Sequence, residues 1–260
     1  ARRLAGVFND NHPWLNLSDM ELLQSMQLYQ HDVINNQSGF TLAAILLFGK
    51  DSTILSALPH HKTDAILRRV NLDRYDDRDT VKTNLIESYE RLMAFIAKHL
   101  PDPFYQDESA NRISLRDKIC REVVANILIH REYSNPYPAK IIIERNQVVA
   151  ENSNRPHFHG IINPANFSPF PKNPIISAFF REIGRAEELG SGVRNLFRYT
   201  KAYSGGNEPS LIEEDIFKII VPIDERLIVD VATPQATMQA TPQATPQATP
   251  QATPQATPQA

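Results

Sequence analysis

A carboxylate and a carboxamide four residues apart, Glu122 and Asn126, are the side chains of this sequence best spaced for chemistry. On a helix they share one face. A carboxamide oxygen suits a hard divalent cation that also holds phosphates, and a carboxylate suits the orientation or deprotonation of a water. The pair lies in Arg121–Tyr133. Just before and within that stretch, Ile119, Val123, Val124 and Ile127 recur at helical spacing and predict an amphipathic helix. An ordinary solvent-facing helix also carries such pairs, so spacing alone does not decide between a site and a surface.

A second candidate is Gly190-Ser191-Gly192, which precedes a predicted helix. Glycines allow close backbone approach, and a helix N-terminus offers unpaired amides to an anion. Arg181, Arg185 and Arg194 flank it and could counter phosphate charge. Other patterns fail on inspection. Phe48-Gly49-Lys50-Asp51-Ser52 lacks the upstream glycine of a phosphate-binding loop and has Asp51 where a hydroxyl is required, so no P-loop motor is encoded. His60-His61 and His157-x-His159 have no third ligand at metal-site spacing. No Gly-x-Ser-x-Gly elbow is present.

The elements that must position these residues follow from pattern and punctuation. Asn16 or Ser18 is placed to cap a helix over Asp19–Tyr29, and Thr41–Phe48 reads as a short, buried helix. Ala65–Val70 reads as a strand, and Thr80–Leu100 as one long amphipathic helix ended by Pro101 and Pro103. The polar stretch Asp102–Arg112 is the best candidate for a subdomain boundary. Ser114 then caps a helix over Leu115–His130. Strands Ala139–Glu144 and Gln147–Glu151 follow, then a long loop Asn152–Lys172. Helices Pro174–Ile183 and Val193–Tyr203 precede strands Ile216–Val221 and Leu227–Val231. Helices grouped against a mixed or antiparallel sheet predict an α+β two-layer sandwich, preceded by a mainly helical segment.

Composition bounds the rest. The chain has 260 residues, 42% of them hydrophobic, and a formal charge of −3, enough for one large or two modest cores and too balanced for a broad basic nucleic-acid face. No apolar run approaches the roughly 18 residues that span a bilayer. The one cysteine, Cys120, excludes an internal disulfide framework and a cysteine-based zinc site; it reads as a buried structural thiol of a cytoplasmic protein. The last 28 residues, Thr233–Ala260, are seven Thr-Pro-Gln-Ala units with Met238 replacing one proline. A proline every fourth residue forbids a continuous helix, so this is an extended linker or tail. The start at Ala1-Arg2-Arg3-Leu4 and the end inside the repeat predict a fragment of a longer protein.

Four motifs in order carry a family resemblance: Leu42-Ala43-Ala44-Ile45-Leu46-Leu47-Phe48-Gly49-Lys50, Arg121-Glu122-x-x-x-Asn126-x-x-x-His130-Arg131-x-Tyr133, Lys172-Asn173-Pro174-Ile175-Ile176, and Glu188-Leu189-Gly190-Ser191-Gly192-Val193. Over roughly residues 40–220 the chain resembles the RecG-related transcriptional regulators of bacteria and archaea, which lack helicase motors. Their architecture is a Schlafen/AlbA-type DNA-binding domain, a divergent histidine-kinase-like ATPase domain and a winged helix.

The resemblance implies four segments: 1–38 as the end of the DNA-binding domain, 39–110 as a connecting subdomain, 111–231 as an ATPase domain of the gyrase–histidine-kinase–MutL (Bergerat-like) fold, and 232–260 as the linker. It implies that Asn126 ligates the Mg²⁺ of a bound Mg–ATP and that Glu122 is the general base in members that hydrolyse it. Asn152, Asn154, Gly190, Ser191, Gly192 and Arg194 would contact the nucleotide.

The sequence departs from that pattern where the adenine-reading Asp and its glycines should follow the second strand, since Asn152-Ser153-Asn154 stands there. An Asn offers adenine no charged acceptor. The implied function is nucleotide sensing within a DNA-binding regulator, with DNA bound by flanking domains and a homodimer as the default symmetry. The alternatives are a degenerate fold acting as a nucleotide-free scaffold or dimerisation module, and a weak ATP hydrolase.

Overall fold

The computed structural model describes residues 1–70, 73–165, 171–187 and 191–227. The chain opens with α1 (Arg2–Phe8), a 3-10 turn at Pro13–Asn16 and α2 (Asp19–Ser25). Ser18 is the cap of α2, in a reciprocal box with Glu21. The helix stops at Ser25, short of the predicted Tyr29, because Gln27 takes a left-handed φ of 56° and the chain turns into a strand. That strand, β1 (Tyr29–Asp32), forms a hairpin with β2 (Gln37–Phe40) that alternation did not reveal. Then come α3 (Leu42–Phe48), capped by Thr41, and α4 (Asp51–Ala57).

The predicted helix over Thr80–Leu100 divides into strand β4 (Asp77–Val81) and helix α5 (Leu85–His99). The helix cannot begin earlier: Asn84 has extended backbone and its side chain accepts the Glu87 N–H, while Thr80 and Val81 pair with β3 (Thr63–Leu67). The remaining elements are α6 (Leu115–Ile129), β5 (Ala139–Ile143), β6 (Gln147–Ser153), β7 (Gly160–Ile161), α7 (Pro174–Glu182), α8 (Ser191–Tyr203), β8 (Ser210–Glu213) and β9 (Ile216–Pro222). The segment predicted as loop from Asn152 to Lys172 thus holds the end of β6 and the short β7. The Thr-Pro-Gln-Ala repeat and most of the predicted strand Leu227–Val231 lie outside the described residues.

Among the described residues, seven strands make one mixed sheet in the order β4-β3-β5-β6-β9-β8-β7, with β3 parallel to β5 and the other pairs antiparallel. The α+β class is as expected. The sheet runs across the polar stretch Asp102–Arg112, since Thr63 of β3 stands opposite Ala139 of β5. One sheet face, with Ala139, Ile141, Ile143, Phe217, Ile219 and Val221, is buried. On the other face Ile142, Val149 and Ile220 form a partly exposed row across three strands. The N-terminal segment joins this body through Trp14, stacked on Phe179 of α7 at 5.5 Å, and His12, 2.7 Å from Glu182.

Helix α6 is buried around most of its circumference rather than amphipathic. Leu115, Ile119, Cys120, Val123, Val124, Ala125, Ile127, Leu128 and Ile129 are all enclosed, and α5, α7, α8 and β6 pack around it. Burial pushes the Cys120 thiol up to about 12, which leaves it an inert packing group. A buried helix end must still satisfy its last four carbonyls. Here each has a named donor. The His130 N–H bonds Asn126 O at 2.9 Å, Asn152 Nδ2 bonds Ile127 O at 3.1 Å, the Tyr133 hydroxyl bonds Leu128 O at 2.7 Å, and Asn173 Nδ2 bonds Ile129 O at 2.8 Å.

Arg131, 1% exposed, extends the tie: its guanidinium donates to Lys62 O and Tyr137 O and lies over the Tyr133 ring. Asn173→Ala leaves the Ile129 and Arg131 carbonyls without their donor. The expected cost is about 2 kcal/mol of unfolding free energy in urea titration. A loss below about 0.5 kcal/mol would show that water replaces the amide.

Candidate functional site

Helix α6 carries Glu122 and Asn126 on the side that meets α8. Asn126 Nδ2 donates to the Glu122 carboxyl Oε1 at 2.6 Å and to Glu122 O at 2.9 Å. This leaves the carboxamide oxygen as the end of Asn126 that Glu122 does not engage. The Glu122 carboxyl packs onto Gly192 in the first turn of α8, and a Cβ built there would overlap both carboxylate oxygens. A side chain at position 192 would require the end of the Glu122 side chain to move. Desolvation pushes the Glu122 carboxyl up to about 7, helped by the nearby Glu187 and opposed by the Asn126 hydrogen bond and Arg121.

Asn126 also lines a cavity of about 540 Å³ between α6, α8 and the β6–β8 side of the sheet, within the range of small-molecule sites. His130 of the α6 exit and Val193 of α8 form one side of it with Asn126. Phe158, Ile161, Ile162, Leu211 and Phe217 give an apolar wall. Opposite α6 lies a polar cluster centred on Lys172. Its ammonium donates to Asn154 Oδ1, to Arg155 O at 2.7 Å and to Glu213 Oε1 at 3.1 Å. The His157 N–H reaches the same Glu213 oxygen at 3.3 Å.

The predicted site residues are distributed unevenly around this cavity. Asn126 and Asn154 line it. Glu122 does not appear among the lining residues and faces Gly192 instead. Asn152, 0% exposed, donates its Nδ2 to the Ile127 carbonyl, keeps a buried Oδ1 with no hydrogen-bond partner among the described residues and is not in the lining; its alternation along β6 turns it into the helix layer. Ser191, Gly192 and Arg194 lie in the first turns of α8, next to the lining residue Val193, while Gly190 lies outside the described residues.

The cavity also uses His130, His157, Asn163, Lys172 and Glu213, which were not singled out as ligand contacts. Lys172 and His130 stand within the motifs quoted above. Glu213 carries no local signal, because only the β7–β8–β9 pairing brings it to Lys172.

Two consequences can be measured. Gly192→Ala forces its methyl into the Glu122 carboxyl and is expected to cost about 2 kcal/mol. In a Glu122→Ala background that cost should fall below about 1 kcal/mol, so equal costs in both backgrounds would refute the packing. The Glu122 carboxyl titrates near 4.5 when unfolded and near 7 when folded. Between those values the folded chain keeps a proton that the unfolded chain has lost. Stability should therefore fall as pH rises from about 4.5 to about 7 and then level. The drop should be on the order of 2 kcal/mol, allowing for the partial exposure of the residue. Glu122→Gln should flatten that interval of the stability profile, and an unchanged slope would assign it to other groups.

Comparison with known proteins constrains the fold more than the chemistry. Residues 1–64 match the model of a domain of unknown function (DUF8451), a match that spans α1 to the start of β3. No curated protein matches the chain. Among solved structures, the crystal structure of the DIP2311 protein from Corynebacterium diphtheriae is similar, with a TM-score of 0.60 at 16% sequence identity. The match covers 85% of this chain and 44% of that one, so this chain spans less than half the length of its structural neighbour. At that identity the likeness is one of fold.

Proposed function

We propose that this chain is the nucleotide-sensing part of a DNA-binding transcriptional regulator of the RecG-related type, with a Bergerat-like fold and Mg–ATP as its ligand. One observation carries the reading. Asn126, Lys172 and Val193 come from three separate sequence motifs and line one cavity of about 540 Å³, together with Asn154.

The donor set fits the group. Mg²⁺ takes oxygen ligands and shares its shell with phosphates and waters, and Asn126 has a carboxamide oxygen to offer. When bound, the cation would neutralise phosphate charge. The first turn of α8 would add backbone N–H groups, and the wall of Phe158, Ile162, Leu211 and Phe217 would enclose a base. DNA binding belongs in this reading to flanking segments. Within the described residues, no helix is long and apolar enough to cross a membrane.

The sensing step follows from how α6 is tied. Its C-terminal end is bonded to β6 through Asn152 and to the start of α7 through Asn173. Arg131, just beyond it, is bonded to Lys62 beside β3. A ligand that draws Asn126 away from Glu122 biases the α6–α8 contact and, through those bonds, the N-terminal half of the sheet.

A nucleotide-free scaffold is favoured by a different observation: the Glu122 carboxyl already fills the space at Gly192. Hydrolysis has less support, since the candidate base faces α8 rather than the cavity.

Titration of a fluorescent ATP analogue with Mg²⁺ separates these readings. The expected result is saturable binding that Asn126→Ala weakens about tenfold, or 1.4 kcal/mol. No saturation at millimolar analogue would sink the sensor reading and leave the scaffold. Phosphate release abolished by Glu122→Ala would establish the hydrolase.

A further inference from the structure

We infer that the open face of the sheet is a dimer interface, occupied by a second copy of this chain. The two copies are related by a two-fold axis that runs along the strands between β5 and β6. This face lies opposite the helix layer, and the inference stands whether or not a nucleotide binds in the cavity.

Among the described residues, helices α5 and α6 pack on the face that carries Ile141 and Ala150. The strand register sets two rows of side chains on the other face. One row reads Arg78, Ile66, Ile142, Val149, Ile220 and Ser210 from β4 across to β8. The next reads Thr80, Asp64, Lys140, Glu151, Lys218 and Ile212 in the same strand order. Ile142, Val149 and Ile220 are partly exposed, whereas Ile141, Ala150 and Ile219 beside them on the inner face are 0% exposed.

Both rows have the symmetry about the β5–β6 gap that a two-fold requires. Reversal about that gap sets Ile142 against Val149 and Ile66 against Ile220, apolar on apolar. In the charged row it sets Lys140 against Glu151 and Asp64 against Lys218, so each cation meets an anion. An isologous contact makes every such pair twice. A row of like charges would repel its own copy, but this row alternates in sign and sums to zero. Aligned sheets stack in this manner about 10 Å apart, with strand directions within about 30°.

The two rows contribute differently. Lys140 and Glu151 are already joined within the chain at 2.9 Å, and the Tyr137 hydroxyl donates to the same carboxylate at 2.7 Å. Asp64 accepts from Arg78 and from Thr80, each at 2.8 Å. Stacking two copies therefore extends existing pairs instead of pairing free ions, which fixes register and partner more than it adds affinity. The apolar row supplies the affinity. Six strands about 4.8 Å apart and about five residues long make a patch of about 29 by 17 Å, or about 1,000 Å² over two copies. That is the lower bound of a specific interface and fits a weak dimer.

Sedimentation of the full chain between about 10 µM and about 0.5 mM should show a shift from monomer to dimer. Ile142→Lys should weaken association at least about tenfold, since it sets an ammonium group in the apolar row. Lys140→Glu and Glu151→Lys should each weaken self-association by a similar factor, because each sets like charges against its own copy. An equimolar mixture of those two variants should recover it, since carboxylates at both positions of one then meet ammonium groups at both positions of the other. A role confined to one chain gives no such recovery. Thermal melts report whether each variant folds. Carbodiimide coupling of mixed unlabelled and heavy-isotope-labelled wild-type chains should also give Lys140–Glu151 links of mixed mass, which only a contact between copies produces.

A wild-type chain that stays monomeric throughout would overturn the inference. So would a dimer whose Lys140–Glu151 links are all of single mass, or one that the folded variants leave unchanged. Folded Lys140→Glu and Glu151→Lys chains whose mixture fails to associate would overturn it as well. The coupling arm needs no variant, so it remains decisive where a substituted chain does not fold.

Discussion

The structure depends on the satisfied C-terminal end of a buried helix. Helix α6 is enclosed by three helices and the sheet, so water cannot serve the carbonyls of its last turn. The chain meets this constraint with donors from four places: the backbone of His130, the ring hydroxyl of Tyr133, Asn152 on β6 and Asn173 before α7. Removing any one leaves a buried acceptor alone, which costs far more than the bond gains over water. That asymmetry explains why these polar residues are embedded in an apolar interior. It also means that the elements around the cavity are cross-linked through α6 rather than merely packed on it.

The same helix faces the candidate site with its polar pair. Asn126 lies between two demands, the Glu122 carboxyl on one side and the cavity on the other. Glu122 in turn lies between Asn126 and the glycine of α8, in a place where desolvation raises its pKa into the neutral range. A carboxyl so placed is sensitive to small movements of α8, because it lies directly against Gly192 of that helix. The α6–α8 interface is thus the part of the fold where ligand, charge and packing meet.

The far side of the cavity is built on a different logic. Lys172 gathers Asn154, the Arg155 carbonyl and Glu213 into one cluster, which joins the end of β6, the approach to α7 and the end of β8. Without the ammonium, a carboxylate and two carbonyl-type acceptors would crowd one another in a largely apolar setting. The cluster makes the wall polar at one point only and leaves the rest to Phe158, Ile162, Leu211 and Phe217.

Much of this was legible in the residues. Helical spacing around Val123 and Ile127, the caps at Ser18 and Ser114, the apolar run Thr41–Phe48 and the β-rich runs after Ala139 located α2, α3, α6, β5 and β6 to within a few residues. These are local signals, set by capping chemistry and by which side chains suit which backbone. Thr80–Val81 misled for the same reason, because the apolar stripe of α5 extends backward into residues that pair with β3. Asn126 comes from its motif and Asn154 from the turn after the second strand where the resemblance sets the base contact, and both line the cavity. The resemblance set Asn152 at the adenine-reading position, yet the alternation of β6 sends it into the helix layer.

The sequence by itself therefore determined the α+β class, most helix starts and the pairing of Glu122 with Asn126, since each depends on neighbours within one turn or one strand. Only the tertiary structure decided that α6 is buried on nearly every side, that Gly192 makes room for Glu122, and that Glu213 shares a wall with Lys172 across 41 residues of chain. Those facts arise from strand pairing and helix packing between distant segments, and no local pattern of residue types encodes them.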